Sequence, residues 1–345
     1  MDSLSLLKKG VVIPAMPLAL DENRRFDERG QRAVLRYYLN TGVGGIAVGV
    51  HSTQFAIRER GMYASLLEFA VNEINAFEKN TGSVKIKIAG VCGKTEQALK
   101  EAATAKALGY DFALLSPSGL GDVDEDYLIE RTKSVSEIIP VIGFYLQAAA
   151  GGRLLSFDYW RRLCEIPGVV GVKAAPFNRY HTIDLLRGAA YSSRANEIAF
   201  YTGNDDTIVY DLLTKYKFNV NGKVVELGFC GGLLGHWGVW TKKAVELLDR
   251  IHSIGDNIPK EVLTLAAQVT DCNAVFFDAK HGFKGVIPGI HEVLRRQGIF
   301  KGIWCLDEEE TLSPGQSEEI DRVYAMYPDL NDDAFVKENL ESWLS

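Results

Sequence analysis

The stretch VKIKIAGVCGKTEQALKEAATAKALGYDFALLSP, residues 84–117, decides the fold. A β-branched apolar run opens it, a segment of helical period (TEQALKEAATAKALG) follows, and a second apolar run (DFALLSP) closes it. Strands that are apolar throughout need cover on both faces, the condition of a parallel sheet wrapped by helices. The same alternation extends in both directions. Runs of strand character begin at Val11 (VVIPAM), Gly44 (GGIAVGV), Val84, Asp111, Pro140 (PVIGFY), Val169 (VVGVKAA), Ile198 (IAFYTG) and Val224 (VVELGFC), which makes eight. Helical stretches such as DERGQRAVLRYYL, with Asp27 as its N-cap, and DEDYLIERTKSVSEI lie between them. The expected fold is therefore α/β, a (β/α)8 TIM barrel over residues 1–257. An open doubly wound sheet is the competing arrangement, but no glycine-rich phosphate or dinucleotide loop follows the first strand. From Ile258 onward the pattern is helical only (EVLTLAAQVTDCNAVFFDA, IHEVLRRQ, SEEIDRVYAMYP), so residues 258–345 form an appended C-terminal helical region.

Composition narrows the function. With 345 residues, 47% hydrophobic and 24% charged, the chain has ample material for a large core. A formal net charge of -7 argues against a surface built for nucleic acid or anionic lipid, so neither is expected as a partner. The opening MDSLSLLKKG has too short an apolar run for a secretory leader, and a cytoplasmic location is expected. Five scattered cysteines (Cys92, Cys164, Cys230, Cys272, Cys305) carry no CxxC pair and read as free buried thiols. No His/Asp/Glu grouping has metal spacing, so no metal and no organic cofactor are expected.

Barrel chemistry sits at the carboxyl ends of the strands, which reduces the sequence to a short set of positions. Lys173, in VVGVKAA, places an amine inside an apolar strand; desolvation there disfavours the ammonium and yields a nucleophile for carbonyl carbon. Position alone equally allows a structural lysine paired with Asp205 or Asp206. Tyr145, ending PVIGFY on the preceding strand, is a candidate to carry protons for Lys173, or a packing residue. The loop GVHSTQF offers His51, Ser52 and Thr53 as a cradle for a carboxylate. Gly203, Asp205 and Cys230 follow later strands and are expected to touch substrate, and Arg153 is a candidate for a distal anionic group or a surface ion pair. His236, in GGLLGHWG, either lines the barrel mouth or caps its loop, whereas His181, His252, His281 and His291 read as packing or solvent-facing.

At this point the residues resemble the dihydrodipicolinate synthase and N-acetylneuraminate lyase superfamily. GVVGVKAA resembles its Schiff-base strand, which assigns the nucleophile to Lys173, and GFYLQ resembles the strand whose tyrosine relays protons, which points to Tyr145. VVIPAMPL followed by FDERG is similar to the family's opening, and YTGNDD to its Gly-Asp-Asp at the seventh strand, aligning Gly203, Asp205 and Asp206. Two motifs depart. Gly49-Val50-His51-Ser52-Thr53 stands where the family has Gly-Thr-Thr-Gly-Glu, and Ser116-Pro117-Ser118-Gly119 replaces Thr-Pro-Tyr-Tyr. The chain thus resembles a divergent member.

The resemblance implies a class I lyase or aldolase that makes or breaks a carbon–carbon bond of a 2-oxo acid such as pyruvate through a lysine iminium. A Schiff-base dehydratase of a deoxy sugar acid is the alternative, and a non-catalytic barrel that binds a small acid is the third reading. It also implies a homodimer or homotetramer, with the tail contributing subunit contacts.

Overall fold

The computed structural model describes residues 2–345, with the side chain of Ala149 outside the description. The chain opens with α1 (Ser3–Lys9), then alternates through β1 (Val12–Pro14), α2 (Glu28–Thr41), β2 (Gly45–Val48), α3 (Tyr63–Thr81), β3 (Ile86–Val91) and α4 (Thr95–Ala107). The alternation continues with β4 (Phe112–Leu115), α5 (Glu125–Ser136), β5 (Val141–Leu146), α6 (Phe157–Glu165), β6 (Val169–Ala175), α7 (Arg179–Ala190), β7 (Ala199–Thr202) and α8 (Ile208–Leu213). A hairpin of β8 (Tyr216–Val220) and β9 (Lys223–Leu227) precedes β10 (Gly231–Leu234) and α9 (Thr241–Ser253). The tail holds α10 (Lys260–Phe276), α11 (Val286–Arg296), α12 (Gln316–Met326) and α13 (Asp333–Trp343). The fold is a (β/α)8 barrel with C-terminal helices, as the alternation predicts; its eight barrel strands are β1 to β7 and β10. No described helix is long and apolar enough to cross a membrane.

Two compact units make up the chain: Met1–Val11 with Ile86–Leu233, and Val12–Lys85 with Leu234–Ser345. In the first, β3, β4, β5, β6, β7 and β10 pair in parallel in that order. Their burial is nearly complete, which is why the strands read as unbroken apolar runs. The Leu7 carbonyl of α1 accepts from the Tyr201 hydroxyl at 2.8 Å, tying that helix to β7. In the second unit β1 and β2 are parallel, and α2 is buried along one side. Tyr37 of α2 donates to Asp332 at 2.7 Å and Tyr38 to the Gly238 carbonyl at 2.8 Å. Asp332 also accepts from Lys242 N–H and Gln297, so one buried carboxylate joins the start of α9, the end of α11 and the start of α13.

The eighth strand is not where the sequence pattern puts it. VVELGFC is mostly β9, antiparallel to β8 in register Tyr216↔Leu227 through Val220↔Lys223, with Val224 69% exposed. The reason is the connection: Asn221 and Gly222 have φ of +52° and +82°, both left-handed, as a two-residue type I′ hairpin turn requires. The barrel strand is the next segment, GGLL. Its glycines admit close backbone approach, since a Cβ on Gly231 would lie 2.6 Å from the Val11 carbonyl oxygen.

Candidate active site

On β6 successive side chains alternate faces, so Gly171, Lys173 and Ala175 share one face and Val172 and Ala174 the other. Lys173 pairs in register with Phe144 of β5, and its Nζ lies 4.4 Å from the centroid of the Phe144 ring. The lysine is 8% exposed. Gly203, just past β7, admits its methylenes: a Cβ there would fall 2.5 Å from Lys173 Cε and 3.0 Å from Cγ. Burial pulls the amine down to about 8, the charge of Asp205 opposing the shift. At pH 7 roughly a tenth of the molecules then carry the neutral amine. An apolar strand, a facing aromatic ring and a missing side chain together create a buried, largely unhydrated amine.

Tyr145 is not beside Lys173, and its expected proton-carrying role is corrected. It pairs with Ala174 and points to the opposite face of the sheet. There its ring lies 5.0 Å from Trp160 of α6 and stacks at 6.1 Å on His181 of α7, 2% exposed. The one-residue difference between Tyr145 and Phe144 moves the hydroxyl from the lysine's face into the helix layer. His181 accordingly packs on Tyr145, one of the two roles expected of it.

The loop after β7 is held by a connected set of buried hydrogen bonds. Asp211 of α8, fully buried, accepts from Thr202 Oγ1 at 2.7 Å, Asn204 Nδ2 at 2.9 Å and Arg179 Nη1 at 2.5 Å. Asn204 in turn donates to Thr182 Oγ1 at 3.1 Å and accepts from Phe177 N–H at 3.0 Å. Phe177 has φ +50°, strained for a side chain of its size, and that hydrogen bond helps hold it. Gly203 and Asp205 flank Asn204, so the network fixes the segment that packs on Lys173. Asp205 is 4% exposed and its N–H donates to the Gly203 carbonyl at 3.1 Å. Asp206 is half-buried, and burial raises its carboxyl above the ordinary range. Phe144 and Asp211 are absent from the sequence reading. A period-2 face assignment anchored on Lys173 would have found Phe144; nothing local in the sequence marks Asp211.

Two other expected site residues have different work. Cys230 precedes β10 and so stands at the amino end of its strand, where its thiol reaches the carbonyls of Phe200 (3.4 Å) and Leu7 (3.7 Å). A substrate contact for it followed from placing the eighth strand one segment early, and is corrected. Arg153 directs Nη1 to the carbonyls of Leu120, at 3.0 Å, and Val123, bracing the loop after β4 instead of offering a free cation to a distal anion.

In the second unit the segment after β2 forms a 3-10 turn, His51–Thr53. Thr53 Oγ1 donates to the Met16 carbonyl at 2.6 Å and accepts from the N–H groups of Gly49 (3.1 Å) and Val50 (3.3 Å). A hydroxyl has one donor and two lone pairs, so its capacity is complete and the carboxylate role expected of Thr53 is corrected. His51 and Ser52 are half-exposed, with the His51 ring 5.8 Å from Phe55. Gln54, unremarked in the sequence, is 4% exposed at φ +67° and accepts from Leu306 N–H at 2.6 Å. His236 follows β10 but is buried 5.6 Å from the Phe276 ring with Asn273 at 3.4 Å, and burial pushes its imidazole down to about 4. That is the loop-capping alternative.

A parallel α/β barrel with a depressed-pKa lysine on its sixth strand is a recognisable class. The model of the dihydrodipicolinate synthetase family matches residues 8–215, and the chain belongs to that family. Among curated relatives, it is 23% identical over 183 residues to a probable 5-dehydro-4-deoxyglucarate dehydratase of Oceanobacillus iheyensis, covering 53% of this chain and 55% of that protein. It is 25% identical over 199 residues to a 4-hydroxy-tetrahydrodipicolinate synthase of Dechloromonas aromatica, covering 57% and 64%. These matches span less than two thirds of the relatives' own lengths. Among solved structures, a dihydrodipicolinate synthase of Oceanobacillus iheyensis superposes with TM-score 0.74 at 16% identity, covering 95% of this chain and 100% of that one. An N-acetylneuraminate lyase of Fusobacterium nucleatum gives 0.72 at 15%, covering 92% and 99%. Those likenesses establish the barrel fold.

Proposed function

We propose that the chain is a Schiff-base lyase in which Lys173 attacks the ketone of a 2-oxo acid such as pyruvate, forming or breaking a carbon–carbon bond. The observation that carries this reading is the amine itself, buried on β6 against Gly203 and drawn down to about 8. Such an amine is a nucleophile near neutral pH, and the iminium it forms withdraws electrons from the neighbouring carbon and stabilises the carbanion there as an enamine. Membership of the dihydrodipicolinate synthetase family supports the lyase class.

A dehydratase acting on a deoxy sugar acid is the second reading, favoured by the similarity to a probable 5-dehydro-4-deoxyglucarate dehydratase. Both reactions begin from the same iminium. Incubation with pyruvate, and separately with deoxy 2-oxo sugar acids, in cyanoborohydride should add a mass of the reduced adduct to the unsubstituted chain and none to Lys173→Ala. Pyruvate release, coupled to lactate dehydrogenase, indicates cleavage; water loss without pyruvate indicates dehydration. An adduct of equal yield on Lys173→Ala removes the proposal.

A further inference from the structure

The face of β5 turned to Lys173 presents a ring without a hydroxyl, since Phe144 lies in register with the lysine and Tyr145 lies on the other face. Imine formation nevertheless needs a group that takes a proton from the ammonium and returns one to the departing oxygen. Around Lys173 the β5 side supplies only carbon, whereas the β7 side supplies Gly203, packed on the lysine's methylenes, and two residues further on the carboxylate of Asp205. Asp205 is 4% exposed. Its backbone is pinned to Gly203, and its neighbour Asn204 is held by Thr182, Phe177 and Asp211, so Asp205 sits in a fixed turn beside the glycine that touches the lysine.

We propose that Asp205 is the proton-transfer group for the Lys173 iminium, doing what no residue on β5 is placed to do. This rests on the lyase reading of Lys173. In the step, one proton passes from the Lys173 ammonium to the Asp205 carboxylate, leaving the amine. The nitrogen lone pair forms the N–C bond as the carbonyl π pair moves to oxygen, and the proton released by nitrogen goes to that oxygen, giving a carbinolamine. Asp205 then returns its proton to the hydroxyl; the C–O bond breaks, water leaves, and the nitrogen lone pair closes the C=N bond. Ammonium, carboxylate and ketone become iminium, carboxylate and water, with atoms and charge balanced.

The test separates this role from simple charge pairing. Asp205 holds the amine up, so Asp205→Asn leaves more neutral amine at pH 7, and a purely electrostatic carboxylate predicts adduct formation as fast as before or faster. A proton-transfer carboxylate predicts the opposite: the rate of cyanoborohydride-trapped adduct with pyruvate at pH 7 falls about 100-fold in Asp205→Asn at an unchanged melting temperature. Asp205→Ala falls similarly and is restored in part by added formate, which a structural role would not produce. An undiminished rate in Asp205→Asn, or no formate effect on Asp205→Ala, overturns the inference. Absence of any adduct on the unsubstituted chain would instead refute the lyase reading beneath it.

Discussion

At the scale of the single residue, function turns on which side of a strand an atom falls. Lys173 and Phe144 share a face while Tyr145, one position on, belongs to the helix layer. Tyr145→Phe should therefore change the trapping rate less than about 3-fold, measured with pyruvate at pH 7.5. Gly203→Ala should be severe, because its Cβ would stand 2.5 Å from Lys173 Cε and the lysine must leave its position; the trapping rate should fall at least ~30-fold, about 2 kcal/mol of activation free energy. The unsubstituted rate should climb with pH through about 8 and then level, since the amine is protonated below that value. Lys173 was legible because a charged residue in an apolar strand is conspicuous. Phe144 was not, because an aromatic in a strand looks like core until its face is assigned against the lysine.

At the scale of elements, seven barrel strands stand where the apolar runs put them, and the eighth does not. The Asn221-Gly222 pair is a hairpin signal, and with it VVELGFC reads as a solvent-facing ribbon; GGLL does not read as a strand because glycine has poor strand propensity. That displacement is what carried Cys230 into the expected site. The helical tail was legible from its period, but the buried carboxylates that knit elements together were not, since their partners come from distant segments. Asp211 is the instance with consequence: removing it in Asp211→Ala leaves Thr202, Asn204 and Arg179 without their shared acceptor. The expected loss is about 3 kcal/mol of stability, read from urea denaturation, together with slower trapping as the Gly203–Asp205 segment loosens.

Across the whole molecule, acid is the expected weakness. His236 and His291 are both buried and drawn from the ordinary value to about 4. A histidine held neutral in the folded state contributes stability that is complete above about 6.5 and is lost as pH falls toward 4, because the unfolded chain takes up the proton first. Each contributes on the order of 3 kcal/mol across that window. The urea midpoint should drop steeply between pH 6.5 and 4.5, and His291→Leu should flatten the fall. The central claim, a covalent lysine, is tested most directly by trapping pyruvate with cyanoborohydride and mapping the adduct by peptide mass spectrometry. The account predicts a single modification on the peptide containing Lys173, lost in Lys173→Ala; a modification on another lysine, or none with any 2-oxo acid, would contradict it.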